Sequence, residues 1–207
     1  MKRHLTTAGT DLERSYRERG LSIIAGVDEA GRGPLAGPVV AAAVVFGSDI
    51  VIEGVDDSKK LSPERREILA AAIRSTALAV GVGIVSHEEI DRMNILRATF
   101  HAMEIAVRSL KVHPDMLLID GNAYRDTTFP YVTIVDGDAL SHSIAAASII
   151  AKVERDTIMK EFDAIYPEYG FAAHKGYGTE RHREAIRKHG FCPIHRRSFK
   201  VHFPTLP

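Results

Sequence analysis

Acidic residues follow three apolar segments of the chain, each near the point where a predicted strand ends. Asp28 and Glu29 follow the first of these runs, Asp120 follows another, and Asp138 lies three residues beyond a third. Because strand ends in an α/β sheet converge near one edge, these carboxylates can meet in space. Grouped carboxylates repel one another unless a cation lies among them, and hard oxygen ligands suit Mg²⁺ or Mn²⁺. The pattern predicts a divalent-metal site, which is well suited to phosphoryl chemistry.

A simpler interpretation exists for two of these positions. The pairs Asp120-Gly121 and Asp136-Gly137 could begin ordinary turns, and for either pair alone the turn is favoured. Asp28 and Glu29 are harder to explain as a turn, because no directly adjacent Lys or Arg neutralises them. Since no Ser, Cys or His has a spacing that suits a covalent nucleophile, attack by metal-activated water is the simpler mechanism.

The elements that must position these acids can be placed from apolar runs and capping residues. Apolar runs predict five strands, at 21–27, 39–46, 80–85, 116–119 and 131–135. Gly and Pro between the first two strands indicate a hairpin-like, antiparallel connection. Helices are predicted to start at Ser62 and, with interruption possible, at Ser86, and to span 143–162 and 179–189. Clustered strands followed by strand and helix alternation predict a three-layer α/β fold with a mixed five-stranded sheet.

Length and composition favour one globular domain of ordinary size. With 207 residues, 45% of them hydrophobic, we expect an N-terminal segment at 1–20, one domain at 21–200 and a tail at 201–207. Lys plus Arg equals Asp plus Glu, at 27 each, so only the distribution of charge is informative. The single Cys192 is expected to be a small buried side chain, and it favours a reducing, cytoplasmic location. No apolar run is long enough to cross a membrane.

Two motifs point elsewhere and are rejected or kept as weak alternatives. The segment 31–36 matches the dinucleotide-binding fingerprint, but Pro34 and Pro38 lead into Val-rich sequence that predicts a strand where the fingerprint needs a helix. Asp136-Gly137-Asp138 is similar to the start of aspartate-nucleophile phosphatases. A small-molecule phosphatase therefore stays a weak alternative.

Positive charge is concentrated near the C-terminus. Between His174 and Lys200 there are eight Lys and Arg residues and two acids, which favours contact with phosphates about as strongly as a solvated basic helix. Zinc binding by the histidines here is not expected, because short ligand spacing is missing. Tyr177, between two glycines, could stack on a sugar or base, or equally pack its loop onto the core.

Five segments of the chain, taken in order, resemble the bacterial ribonuclease HII branch of the type 2 ribonucleases H. They lie at 26–34, 57–62, 119–122, 145–152 and 174–177, and they read GVDEAGRGP, DSKKLS, IDGN, AAASIIAK and HKGY. The likeness covers about 23–199. It implies a ribonuclease H-like fold, and an endonuclease that hydrolyses the RNA strand of RNA:DNA hybrids and cuts 5′ to single ribonucleotides in DNA.

The resemblance also implies roles for particular residues. The metal-binding catalytic acids would be Asp28, Glu29, Asp120 and Asp138. The residues that contact substrate would be Gly31, Arg32, Gly33, Tyr177, Lys59, Ser148 and Lys152. The first three would sense the ribose 2′-OH, which distinguishes RNA from DNA. Tyr177 would stack on the sugar of the following deoxynucleotide, and the remaining three would contact phosphates.

One position departs from the family pattern. Members often carry Lys where this chain has Asp136, so either Asp136 or Asp138 could be the ligand, and the motif alignment favours Asp138. The implied enzyme uses Mg²⁺ or Mn²⁺, with two ions during catalysis, leaves 5′-phosphate and 3′-hydroxyl ends, and acts as a monomer away from membranes. A non-catalytic module that binds RNA:DNA hybrids is the main alternative, although it does not explain acids after three strands.

Overall fold

The chain folds around one five-stranded sheet. The computed structural model describes residues 7–48, 50–125 and 128–201. The strands of the sheet are β1 (Ile24–Ala30), β2 (Val39–Val45), β3 (Ala79–Val85), β4 (Met116–Asp120) and β5 (Tyr131–Ile134). The helices are α1 (Asp11–Arg17), α2 (Pro63–Thr76), α3 (His87–Met93), α4 (Ile95–Arg108), α5 (Gly137–Leu140), α6 (His142–Ile165), α7 (Phe171–His174) and α8 (Glu180–His189). Apart from Val201, the predicted tail at 201–207 lies outside the described residues.

The sheet is mixed, as predicted. Its strand order is β3-β2-β1-β4-β5. The first three strands of the chain pair antiparallel, whereas β4 pairs parallel with both β1 and β5. The predicted antiparallel relation of the first two strands is therefore confirmed.

Helices cover both faces of the sheet. β2 is buried along its whole length because α4 packs on one of its faces and α6 on the other. One apolar cluster joins Val39 and Ala41 to the α4 side chains, and a second joins Ala42 and Val44 to α2 and α6. This arrangement gives the predicted three layers, and burial on both faces explains why β2 has no polar residue.

β1 is longer than the sequence predicts. The prediction ended the strand at Val27, but antiparallel pairing with β2 continues through Asp28 and Glu29, which lie opposite Ala42 and Ala41. On the other side of β1, parallel pairing with β4 stops at Val27. The two acids thus lie inside the strand, at the point where it extends past its β4 pairing.

Most helix starts follow the capping signals. The Ser62 hydroxyl accepts a hydrogen bond from the Arg65 N–H, and Ser86 and Glu89 form a reciprocal capping box. The interruption considered for the long central helix occurs at Asn94, whose φ of 73° separates α3 from α4. No helix in the described residues has both the length and the apolarity needed to cross a membrane.

Close packing of α6 on β1 places side chains of α6 at the edge of the sheet. A Cβ atom added at Gly26 would lie 2.1 Å from the backbone carbon of Ser143, so only glycine permits this approach. The start of α6 is held by the buried Glu13 of α1, which accepts hydrogen bonds from the hydroxyl groups of Ser141 and Ser143. The helix then carries Ser148 to the neighbourhood of Asp28.

Candidate active site

The site residues predicted from the sequence line one cleft at the sheet edge. The cleft has a volume of about 210 Å³. Every predicted site residue except Asp138 lines it, namely Asp28, Glu29, Gly31, Arg32, Gly33, Lys59, Asp120, Ser148, Lys152 and Tyr177. Segments far apart in the chain thus meet where β1 and β4 end.

Asp28 is the most deeply buried acid of the cleft, with 4% of its surface exposed. Its Oδ1 accepts a hydrogen bond of 2.7 Å from the Glu29 N–H, and the Ser148 hydroxyl donates to its carboxylate. Burial, followed by the charges of Glu29 and Asp120, raises the pKa of Asp28 well above its ordinary value. The protein alone therefore disfavours the ionised form of Asp28.

Glu29 and Asp120 each have one local partner. The Arg32 Nη1 lies 3.4 Å from the Glu29 Oε1, but burial still raises the pKa of Glu29. The Asp120 Oδ1 accepts a hydrogen bond of 2.8 Å from the Gly137 N–H, which ties the end of β4 to the start of α5. Both carboxylates remain beside Asp28 with only partial compensation of charge.

The geometry separates Asp138 from Asp136. Asp138 is buried, and its Oδ2 lies 3.7 Å from the Lys59 Nζ. Burial, followed by the charges of Asp57 and Asp120, raises the pKa of Asp138. Asp136 is exposed and caps α5 in a left-handed conformation with φ of 55°. This arrangement favours Asp138 as the fourth acid of the site.

The three predicted phosphate contacts occupy different environments. The Lys59 side chain is 80% exposed, so it can reach a ligand in the cleft. The Lys152 Nζ donates a hydrogen bond of 2.7 Å to Asp156 while still lining the cleft. Ser148 is 4% exposed, and its Oγ lies 2.9 Å from the Ser58 Oγ. The buried position of Ser148 favours a role in orienting Asp28, and it does not favour the phosphate contact that was expected from the sequence.

Asp57 is a site neighbour to which the sequence analysis gave no role. Its carboxylate accepts a hydrogen bond of 2.9 Å from the Lys59 N–H, and it lies 4.0 Å from the Lys59 Nζ. After burial, its charge is also the largest cause of the raised pKa of Asp138. The turn-capping role is readable from Asp57 preceding Ser58 and Lys59, but its approach to Asp138 depends on the tertiary fold.

Comparisons with known proteins show the family of this chain. A family model described as Ribonuclease HII matches residues 25–203. The chain belongs to the ribonuclease HII family. The ribonuclease HII of Acetivibrio thermocellus is 57% identical over 92% of this chain and 75% of its own length.

Solved structures support the same fold. The ribonuclease HII of Archaeoglobus fulgidus, solved in a complex with PCNA, is 31% identical with a TM-score of 0.73, over 89% of this chain and 98% of that one. A ribonuclease HIII named Bst-RNase HIII, solved with Mn²⁺, is 21% identical with a TM-score of 0.57, over 82% of this chain and 63% of that one. The second likeness shows the fold alone.

Membership in this family settles the class of activity. Ribonucleases HII are metal-dependent enzymes that act on nucleic acid, and this chain is an endonuclease for the RNA strand of RNA:DNA hybrids. The hybrid-binding module and the phosphatase weighed from the sequence are therefore set aside. The dinucleotide-binding alternative also fails, because β2 follows the glycine-rich segment 31–36.

The acidic residues of the site suit a divalent cation. No three His, Cys, Asp or Glu side chains in the described ranges already form a complete metal site. Asp28, Glu29 and Asp120 instead line one cleft, and Asp138 lies beside it, next to Lys59. Burial is the first cause of the raised pKa values of Asp28, Glu29 and Asp138. A bound cation would offset both that burial and the mutual repulsion, so this donor set fits the metal dependence of the family.

The basic C-terminal segment is less uniform than its charge count suggests. Arg196, His182 and His195 are almost fully buried, so part of this segment supports the fold and is not presented to phosphates. Tyr177 is 45% exposed and lines the cleft. A Cβ atom added at Gly33 would lie 3.6 Å from the Tyr177 ring. Tyr177 therefore flanks the glycine-rich loop at the wall of the cleft.

Proposed function

We propose that Asp28, Glu29, Asp120 and Asp138 hold Mg²⁺ or Mn²⁺ in this enzyme, with two ions bound during cleavage. The observation that carries this proposal is a set of buried and half-buried carboxylates with only partly compensated charge, three of them lining one cleft and Asp138 beside it. When bound, such ions activate water and offset negative charge on the scissile phosphate. Ser148 keeps the Asp28 carboxylate oriented by hydrogen bonding to it.

Recognition of ribose is assigned to the loop that follows β1. Among the described residues, the N–H groups of Arg32 and Gly33 donate to no other backbone oxygen, and both residues line the cleft. These N–H groups can therefore donate to the ribose 2′-OH, the group that a DNA strand lacks. Tyr177, next to Gly33, stacks on the sugar of the following deoxynucleotide, so the enzyme recognises a junction from RNA to DNA.

The duplex backbone follows the basic residues of the cleft. Lys59 and Lys152 contact phosphates near the scissile bond. A groove of about 280 Å³ shares Lys152 and Tyr177 with the cleft and continues past Lys160 and Lys175. Contacts between lysines and phosphates release counterions, so substrate binding weakens as salt concentration rises.

Cleavage is proposed on the 5′ side of the ribonucleotide, leaving 5′-phosphate and 3′-hydroxyl ends. The test uses an end-labelled duplex with one ribonucleotide, incubated with Mg²⁺, Mn²⁺ or a chelator. Wild-type protein should give one cut with either ion and none with the chelator. Asp120→Asn should abolish cleavage with little loss of duplex binding. Full activity of that variant, or a cut on the 3′ side, would contradict the proposal.

One chain is proposed to be sufficient, because all residues of the site come from the same chain. Light scattering of the active protein should give the mass of a monomer, and activity confined to a dimer fraction would contradict this. A cytoplasmic location also stays a prediction, supported by the single buried Cys192.

A further inference from the structure

Two arginine side chains are buried beneath the loop that joins β1 to β2. Arg155 of α6 is 0% exposed, and Arg196, in the segment after α8, is 1% exposed. Neither forms a salt bridge with any of the described residues. Burial lowers the pKa of Arg155 to about 10 and that of Arg196 to about 9, so both are cations at neutral pH. Burying a cation without a carboxylate is costly unless hydrogen bonds satisfy it.

Backbone carbonyl groups satisfy Arg196. Its Nη2 donates to the oxygens of Gly31 and Pro38, at 2.6 and 3.0 Å. Its Nη1 donates to Arg32 at 3.1 Å, and its Nε donates to Gly37 at 2.9 Å. A single side chain thus holds both ends of the loop at 31–38.

Arg155 holds the same loop and a second one. Its Nε and Nη2 donate to the oxygens of Pro38 and Ala36, at 2.9 and 3.2 Å. Its Nη1 donates at 3.0 Å to the oxygen of Lys175, two residues before Tyr177. The Arg155 side chain therefore bridges the ribose-sensing loop and the loop that carries Tyr177.

The bridge leaves little room for independent motion of the two loops. The Leu35 N–H donates to the Gly176 oxygen at 2.8 Å. A Cβ atom added at Gly176 would lie 2.7 Å from the Ala36 oxygen, and one added at Gly31 would lie 2.1 Å from the Arg155 Nε. The carbonyl groups of Gly31 and Arg32 point to the buried arginine, whereas the Arg32 and Gly33 N–H groups stay free to meet substrate.

We propose that Arg155 and Arg196 are positioning residues that fix the distance between the ribose-sensing N–H groups and the Tyr177 ring. Because these two elements would read neighbouring nucleotides, a fixed distance between them sets the preference for a ribonucleotide followed by a deoxynucleotide. The inference rests on the proposed roles of Arg32, Gly33 and Tyr177.

The test is a double-mutant cycle between Arg155→Lys and Tyr177→Ala. The measured quantity is the ratio of kcat/KM on a duplex with one ribonucleotide to kcat/KM on a continuous RNA:DNA hybrid. Lysine keeps the charge but cannot span three carbonyl groups, so Arg155→Lys should lower the ratio roughly tenfold through misplacement of Tyr177. Tyr177→Ala should lower it by a similar factor, and the double variant should fall no further.

Other outcomes separate the inference from the function on which it rests. An unchanged ratio in Tyr177→Ala would overturn the proposed role of Tyr177 itself. A normal fall in Tyr177→Ala with an equal loss on both substrates in Arg155→Lys would overturn only the positioning inference. Effects of the two substitutions that multiply in the double variant would also overturn only the positioning inference. Arg17→Lys is the matched control, because Arg17 also donates to a backbone carbonyl, that of Phe46, at the opposite end of β2.

A measurement on the unaltered protein covers the case in which Arg155→Lys fails to fold. Amide hydrogen exchange should show that the N–H groups of Leu35, Gly37 and Arg196, all hydrogen-bonded between the two loops and the C-terminal segment, exchange as slowly as those of β2. Exchange as fast as in an exposed loop would overturn the proposal, since the loops would then move independently.

Discussion

The sheet edge and the region beneath the loop at 31–38 both bury charge, and they do so in opposite ways. At the sheet edge, Asp28 and Asp138 lie among other acids, and their pKa values are raised. Beneath the 31–38 loop, Arg155 and Arg196 are equally buried, yet their guanidinium groups donate seven hydrogen bonds to carbonyl oxygens. The first arrangement needs a cation from outside, whereas the second is complete within the protein.

This difference indicates which charges act on substrate and which hold the fold. A buried charge among neighbours of the same sign lowers stability and is retained where it serves function. A buried charge with all of its hydrogen bonds made fixes the backbone that surrounds it. Substitutions in the two regions should therefore change stability in opposite directions.

Asp28→Asn should have the largest effect. We propose that Asp28 holds metal, and loss of such a carboxylate removes several kcal/mol of transition-state stabilisation, so single-turnover cleavage should fall by on the order of 10³-fold or more. In the absence of divalent ions the variant should have a higher Tm than the wild type, because a buried repulsive charge is gone. A rate within tenfold of wild type would contradict the catalytic role of Asp28, and a lower Tm would contradict the repulsion proposed among the acids.

Arg196→Met should destabilise the protein by about 3 to 5 kcal/mol, because three carbonyl groups of the loop at 31–38 lose their side-chain donor, whereas the Pro38 carbonyl keeps its hydrogen bond from Arg155. Urea unfolding measures the change. Arg197→Met is the matched control, since Arg197 is the neighbouring and exposed arginine, and it should cost less than about 1 kcal/mol. Equal losses of stability in the two variants would show that the buried hydrogen bonds of Arg196 do not stabilise the fold.

Acid should destabilise the protein through the buried histidines of the C-terminal segment. His182 and His195 share a hydrogen bond of 3.0 Å between their Nε2 atoms, so only one of those atoms can carry a proton. Burial lowers the pKa of each to about 4. The unfolded chain therefore takes up protons first, and stability that is complete above about pH 6.5 is lost as the pH falls towards 4, by at most about 1.4 kcal/mol per pH unit for each histidine.

Urea midpoints at pH 7 and pH 5 measure this effect. His182→Asn should flatten the dependence without abolishing it, because burial lowers the pKa of His142 and His174 as well. A slope that is unchanged in His182→Asn would show that the histidine pair does not control acid stability.

The smallest predicted effect is stabilisation by the ion itself. Mn²⁺ at ten times its dissociation constant should stabilise wild-type protein by about 1.4 kcal/mol, visible as a higher Tm. Asp28→Asn should lose most of this shift, whereas Arg197→Met should keep it. An equal shift in both variants would place the ion somewhere other than the cleft.

Much of the fold could be predicted from local signals. The hydrophobic runs gave the five strands, and Ser62 and Ser86 gave helix starts, because these features depend on neighbouring residues in the chain. The predicted end of β1 was wrong, because the observed end depends on contacts between distant parts of the chain. Continued pairing with β2 keeps Asp28 and Glu29 in the strand, and that pairing is a tertiary property.

The site was predicted unevenly for similar reasons. Spacing and resemblance together named Asp28 and Asp120, which the fold brings to one cleft. The charge count of the C-terminal segment could not distinguish the buried Arg196 from the exposed Arg197. The approach of Asp57 to Asp138 joins distant segments that carry no shared local pattern.

Asp138 and Asp136 offer the most direct test of the central claim that four particular carboxylates hold the catalytic ions. The measurement is the single-turnover cleavage rate with Mg²⁺ on a duplex with one ribonucleotide, for Asp138→Asn and for Asp136→Asn. We predict that Asp138→Asn loses on the order of 10²-fold or more, while Asp136→Asn stays within about threefold of wild type. The reverse order, or equal losses, would contradict the account.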